Sequence, residues 1–279
     1  MIDKKILNTS VKNALNEDDV FNDLSIKVLN KSALKKVEAK LTNNENLIIS
    51  GIQWFNHSFK LLDKSIKIKW NFKDGDYIPS NQDLCVVSGN PKSILAAERT
   101  AINFLQFMSG ISTKTNSYVK ILNNKKINLL DTRKTLPNLR YEQKYATRIA
   151  GIKNHRFNLS DGLMLKDNHL KVLKGIDSIK YKHKKSKTYF FEIEVKKISE
   201  IEPALNLNPD ILMFDNFSLN QIKKGIDIVN KRAKIEISGL KSEKDLKKLS
   251  KLKIDYISCL LYTSPSPRDP IGSRMPSSA

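Results

Sequence analysis

Six short apolar runs constrain this chain more than any other feature: residues 127–130, 163–165, 189–195, 211–214, 235–237 and 254–257. Each has the length and β-branched or aromatic content of a buried strand. Most are spaced by about 20 to 30 residues, and the gaps at 219–231 and 242–251 carry lysine-rich patterns with helical periodicity. Repeated strand–helix units of this kind predict a parallel barrel. The residues at the carboxyl end of each strand are equally regular. The first run leads into Asp131-Thr132-Arg133-Lys134 and the second into Lys166-Asp167-Asn168-His169. The third contains Glu192 and Glu194, the fourth leads into Asp215-Asn216, and the fifth into Ser238-Gly239. In a (β/α) barrel the carboxyl ends of the strands converge on one mouth, where an active site is assembled from several loops.

The first ninety or so residues mix short helical and strand patterns and predict a small α+β sandwich domain. Asp74-Gly75, within residues 70–77, suits a tight hairpin turn. Over residues 92–124 apolar side chains recur at Ile94, Ala97, Ala101, Leu105 and Met108, which predicts a helix. Arg99, Asn103 and Gln106 then share another face of it. The expected organisation is an α+β domain over residues 1–110, including the start of this helix, and an incomplete catalytic α/β barrel over 111–258. Residues 259–279 are different in style, with four prolines in the last fifteen positions and no lysine. They read as a foreign, assembly-derived tail and are expected to be disordered.

Composition narrows the function classes. No apolar run is long enough to span a bilayer, and the start lacks the apolar stretch of a secretory signal, so a cytoplasmic protein without a membrane partner is expected. Two cysteines, Cys85 and Cys259, form neither a disulfide framework nor a metal-ligand pair. The net charge of +20 could serve a nucleic acid. However, the basic residues are mostly lysine, they are not interleaved with aromatics, and runs such as residues 182–187 read as solvated faces. A basic nucleic-acid-binding protein is therefore the alternative from another class, and no nucleic-acid partner is expected. The sequence has no GxGxxG turn, P-loop or HExxH helix to suggest dinucleotide, nucleotide-hydrolysing or zinc-peptidase chemistry.

The expected barrel mouth gathers the cations Arg133, Lys134, Arg156 and Lys166 with the carboxylates Glu194 and Asp215. Arginine forks suit carboxylate or phosphate, and lysine serves the same ligands as a point charge. Small polyanions are the expected guests, with the carboxylates holding sugar hydroxyls or a magnesium that bridges to phosphate. Ser238-Gly239 lets backbone approach a phosphate. Each residue also has a plain structural reading. Arg133-Lys134 could be a solvated loop, Glu194 a strand-edge gatekeeper, Asp215 a helix N-cap, His155 a satisfied buried histidine, and Lys166 a partner of groups near Asp167.

Several stretches together resemble the quinolinate phosphoribosyltransferase family. These are Glu98-Arg99-Thr100-Ala101-Ile102-Asn103-Phe104-Leu105-Gln106 with Ser109-Gly110-Ile111, Leu130-Asp131-Thr132-Arg133-Lys134-Thr135, Asn154-His155-Arg156, Leu159-Ser160-Asp161, Leu165-Lys166-Asp167-Asn168-His169, Glu192-Ile193-Glu194-Val195 and Asp215-Asn216-Phe217. They stand in the family's order and spacing, and the likeness runs from near the start to about Ser258. The resemblance implies a pentosyltransferase that joins quinolinate to phosphoribosyl pyrophosphate (PRPP). Its products are nicotinate mononucleotide, pyrophosphate and carbon dioxide, a step of NAD biosynthesis. A related phosphoribosyltransferase for another ring acid, as in molybdenum-transport-associated relatives, is the nearer alternative.

By the same resemblance Lys166, Glu194 and Asp215 are the catalytic residues, and Arg133, His155, Arg156 and Lys166 grip the quinolinate carboxylates. Arg99 reaches that pocket from the other subunit of a homodimer. Thr132, Lys134, Ser238 and Gly239 complete substrate binding, Lys134 and Ser238-Gly239 toward phosphate. Glu194 and Asp215 meet the ribose hydroxyls. Magnesium is implied with PRPP; no residue is assigned as its direct ligand, and Glu194 and Asp215 lie nearest. One departure stands out. The family continues past its last barrel strand with a phosphate loop containing glycine and histidine, whereas this chain has Cys259-Leu260-Leu261-Tyr262-Thr263-Ser264 and lacks the segment returning to the first domain. Weakened PRPP binding is therefore expected of this chain.

Overall fold

The structure is a computed structural model, and it describes residues 2–29, 35–181, 188–240 and 242–258. The lysine-rich run 182–187 and the tail 259–279 lie outside the described residues. The described residues divide into two compact units: 2–116 with Leu136–Ala150, and Ser117–Thr135 with 151–258. The division falls past the expected boundary at 110/111, and Leu136–Ala150, expected in the barrel, packs with the first unit.

The first unit opens with α1 (Lys4–Glu17), N-capped by Asp3, whose carboxylate accepts the Lys5 and Ile6 amides. A three-stranded antiparallel sheet comes next, with β5 (Asp83–Gly89) between β1 (Val37–Thr42) and β3 (Lys67–Trp70). A two-stranded ribbon pairs β2 (Leu47–Ile48) with β4 (Tyr77–Ile78). Phe55 and Phe59 of α2 (Ile52–Leu62) pack in one core with Ile94, Ala97, Ala101 and Leu105 of α3 (Pro91–Leu122). The apolar stripe read from the sequence is thus the buried one, and Arg99 and Asn103 are exposed.

The Asp74-Gly75 turn corrects one expectation. It is not a hairpin turn, because the strands on either side belong to different sheets, β3 pairing with β5 and β4 with β2. Its work is to hold a helix start: the Asp74 carboxylate accepts the Ile52 amide and the Tyr145 hydroxyl, while the Gly75 amide donates to Ile49. Gly75 has φ +99°, a conformation that glycine adopts without strain.

The second unit is an α/β barrel lacking full closure. Its six strands are parallel, in the order β6 (Asn128–Leu130), β11 (Tyr256–Ser258), β10 (Lys234–Ser238), β9 (Ile211–Asp215), β8 (Phe190–Val195) and β7 (Gly162–Leu165). Every apolar run singled out in the sequence overlaps one of them. Beside β6, among the described residues, the ring continues as a single isolated bridge, Leu130 to Lys153. Between the strands come α5 (Asp167–Val172), α6 (Ile201–Asn206), α7 (Leu219–Val229) and α8 (Glu243–Leu249); α4 (Arg140–Ile149) belongs to the first unit.

Strand alternation sorts the side chains. Leu129, Phe191, Ile193, Val195, Leu212, Phe214, Ile235, Ile237 and Ile257 join one apolar core with helix residues such as Ile201, Ile222 and Leu246. The opposite face of the same strands carries Glu192, Glu194, Met213, Asp215, Glu236 and Ser238, and it is on this face that the barrel departs from an apolar interior.

Candidate active site

The site begins where β6 ends. Asp131 is fully buried, and its carboxylate accepts the Asn154 amide side chain at 2.5 Å and the His155 backbone N–H at 2.9 Å. These bonds fix the segment Asn154-His155-Arg156 at the gap beside β6. Arg156 is nearly buried: its Nη1 donates to the Gly162 carbonyl at 3.0 Å and its Nη2 lies 3.2 Å from the Met164 sulfur. Burial, and then the neighbouring Arg133 guanidinium, lower the Arg156 pKa, so two like charges are held close together. Such a pair is stabilised when an anion sits between its members. Arg133 Nε is itself buried without a hydrogen-bond partner among the described residues. Thr132 caps the same turn, its hydroxyl accepting the Lys134 amide at 3.1 Å, and Lys134 is exposed.

At the end of β7, Lys166 Nζ lies 3.3 Å from the nearly buried Glu194 of β8. Lys196, two residues on, pairs with Asp167 at 2.8 Å and lies 4.0 Å from Asp215 of β9. Asp215 faces Ser238 in the ladder, and the Asn216 amide donates to the Ser238 carbonyl at 3.3 Å. Gly239 has φ +83°, and a Cβ there would collide with the Asn216 side chain. Only glycine lets the chain turn here with its backbone open to a ligand.

Beneath the cations lies a buried polar cluster. His155 Nε2 is 2.9 Å from Glu192 and 3.6 Å from Glu236, and both carboxyls are fully buried. Burial pushes the pKa of both well above the usual carboxylate range. Lys166 and Arg156 partly offset this for Glu192; His155, Ser258 and Lys166 do so for Glu236.

The second unit thus brings together Arg133, Arg156, Lys166, His155, Glu194, Asp215, Ser238 and Gly239, as expected of one barrel mouth. Three plain readings fail on geometry. Glu194 is not on a sheet edge, since β8 lies between β7 and β9. Asp215 is not the cap of α7, a role taken by Ser218. Lys166 pairs with Glu194, while Asp167 pairs with Lys196. Arg99 stands on α3 in the first unit, exposed. Sequence reasoning left Lys196 and Glu236 out of the site, yet the signal was present. Positions 192, 194 and 196 alternate along one face of β8 and its extension, and 234, 236 and 238 along β10.

Comparison with known proteins places this geometry. Residues 23–109 match the family model described as quinolinate phosphoribosyl transferase, N-terminal domain, and residues 111–268 the C-terminal domain of the same family. A probable nicotinate-nucleotide pyrophosphorylase [carboxylating] of Methanocaldococcus jannaschii is 34% identical over 258 residues, 89% of each protein. Its counterpart in Bacillus subtilis is 31% identical over 223 residues, 79% of this chain and 77% of that protein. The crystal structure of NadC from Streptococcus pyogenes superposes with a TM-score of 0.86 at 34% identity, covering 94% of this chain and 93% of that one. Two domain models matched in tandem, and relatives covered along most of their length, show that the chain belongs to the quinolinate phosphoribosyltransferase family.

Proposed function

We propose that this chain transfers the phosphoribosyl group of PRPP to the ring nitrogen of quinolinate and releases the adjacent carboxylate as carbon dioxide, forming nicotinate mononucleotide. The observation that carries the reading is the Arg133–Arg156 pair held beside Lys166 at a barrel mouth whose rim also bears Glu194 and Asp215. Paired guanidiniums and an ammonium suit the two carboxylates of a ring diacid. With the diacid held, its ring nitrogen attacks C1′ of the ribose as the pyrophosphate oxygen departs with its electron pair. Glu194 and Asp215 accept hydrogen bonds from the ribose hydroxyls and face the positive charge that develops at C1′. Breaking the carbon–carboxylate bond then leaves an electron pair on the ring carbon beside the cationic nitrogen; Lys166 stabilises it until a proton from solvent forms the C–H bond of the product.

Magnesium, when bound, would neutralise the departing pyrophosphate. Glu194 and Asp215 already lie beside the ammonium groups of Lys166 and Lys196, at 3.3 and 4.0 Å. This favours an ion carried chiefly by phosphate oxygens and water. Lys134 and the open backbone at Ser238-Gly239 are the proposed phosphate contacts, and the exposed Arg99 is proposed to serve the pocket of a partner subunit in a homodimer. Among the described residues no helix is long and apolar enough to cross a membrane. We place the chain in the cytoplasm on its family resemblance; the buried Cys85 thiol, pushed up to about 12, is out of reach of disulfide exchange.

Incubation with quinolinate, PRPP and magnesium tests the reading. Nicotinate mononucleotide and carbon dioxide should form together, and nicotinate in place of quinolinate should give neither. Turnover of another ring acid without carbon dioxide would support the alternative transferase. The stretch after Ser258, which lacks the glycine and histidine expected of the family's phosphate loop, should show as weak PRPP binding, restored when such a loop is supplied. Tight PRPP binding by the chain as it stands would refute that expectation.

A further inference from the structure

Two buried carboxyls, Glu192 and Glu236, take no part in the proposed transfer. They project from β8 and β10 on the inward face, and with His155 Nε2 their ligand atoms lie within 4.8 Å of one another. Glu192 Oε1 and both oxygens of Glu236 have no hydrogen-bond partner of normal geometry among the described residues. The imidazole settles what lies between them. His155 Nδ1 accepts the Arg156 backbone N–H at 2.8 Å, so in the neutral ring the proton is on Nε2; this single N–H reaches Glu192 at 2.9 Å and leaves Glu236, at 3.6 Å, outside hydrogen-bond distance. A metal ligated at Nε2 would require Nδ1 to donate to an acceptor, whereas here it faces a donor. A proton is therefore the species that suits the gap, because two unsolvated carboxylates around one neutral N–H repel each other.

The charged groups facing the pair explain how its proton content can change. Lys166, from the end of β7, and Arg156 favour the ionised form of Glu192, and Glu194 opposes it. Lys166, His155 and the Ser258 hydroxyl on β11 favour the ionised form of Glu236. Arg156 and Lys166 are also the cations that a dianion would engage. Its arrival adds negative charge and withdraws the counter-charges on which the pair depends.

We propose that Glu192 and Glu236 are specificity-determining residues that match the charge of the cradle to a dianion: as the ring diacid settles on Arg133, Arg156 and Lys166, a proton from solvent joins the carboxyl pair. The inference rests on the reading that this cradle holds the diacid. The step forms one O–H bond on a carboxylate and consumes one solvated proton, with no change of oxidation state. A monoanionic ring acid perturbs the pair less and draws less of a proton.

Titration calorimetry of the full chain with quinolinate, repeated near pH 8.5, where the empty pair has begun to give up its protons, in buffers of different ionisation enthalpy, reads this directly. Wild-type protein should take up about one proton per quinolinate, and clearly less with nicotinate. Glu236→Gln and Glu192→Gln should each still bind quinolinate, with uptake reduced to near zero. Thermal melting of both variants checks that they are folded. Binding without uptake in the wild type, or unchanged uptake in both folded variants, would overturn the inference and leave the cradle standing. Failure of quinolinate to bind at all would remove the cradle, and this proposal with it.

Discussion

The two units bury different chemistry on strands and helices of ordinary geometry. In the first, the core around α2 and α3 is built from Phe55, Phe59, Ile66, Ile78, Ala97 and Leu105. In the second, the helix-facing side of the barrel is just as apolar, but the inward side carries Glu192, Glu194 and Glu236. Burying apolar surface favours folding, whereas burying carboxyls opposes it unless they are paired or protonated. The contrast separates residues that hold the fold from residues that the fold must hold, and four substitutions can break or sharpen it.

The largest effect on stability is expected from Phe55→Ala. The ring is buried against Phe59 and Trp70, and its loss should cost about 3–5 kcal/mol of unfolding free energy. Denaturant titration measures this, and a cost below about 1 kcal/mol would mean that the first unit's core is loosely packed. Lys166→Met, on the barrel side of the comparison, should do the reverse. Turnover should fall by about a hundredfold or more while the melting temperature changes little, because the ammonium is part-exposed and its pairing with Glu194 is a rim contact. Unchanged turnover would remove Lys166 from the chemistry.

Glu236→Gln tests whether the barrel interior opposes folding. Both buried carboxyls are pushed up to about 8 from an ordinary value of 4.5. A carboxyl with a raised folded-state pKa leaves stability intact at low pH. Stability then falls as pH rises from the range where the unfolded chain ionises, near 4.5, to that where the folded protein does, near 8. The wild type should therefore melt lower at pH 8.5 than at pH 5.5 by roughly 5 °C, and the variant should show a flatter profile. An identical slope in both would show that the pair is not the source. The smallest effect belongs to Tyr145→Phe in the first unit, which removes the hydroxyl donating to Asp74 at 2.7 Å. About 1 kcal/mol should be lost, with no change in pH-linked quinolinate binding.

The same contrast explains what could be read from the sequence. The apolar runs at 211–214 and 235–237 lie inside β9 and β10, and Ile94, Ala97, Ala101, Leu105 and Met108 mark the buried face of α3. These were legible because burial repeats with the period of the element. Arg133, Lys166, Glu194 and Asp215 were legible because they sit at or just beyond strand ends, and Arg156, on the segment between β6 and β7, through the stretch Asn154-His155-Arg156. Glu236 lies in the middle of its strand between Ile235 and Ile237, where a charge looks like an outward-facing residue until the interior of the barrel is known. The Asp74-Gly75 turn was misread for a related reason. Turn chemistry shows that the chain reverses there, but not which strand its neighbours join. Residues 136–150 lie between barrel elements in sequence yet pack with the first unit, a long-range choice that no local pattern records.

The lone bridge from Leu130 to Lys153 has a consequence of its own. A sealed ladder would have committed the backbone of residues 154–156 to a neighbouring strand. At this seam those amides are released to answer Asp131 and the His155 ring, and the two side chains turn toward the mouth. Amide exchange should accordingly be faster along 154–161 than on any central strand, with a diacid slowing it more than a monoacid.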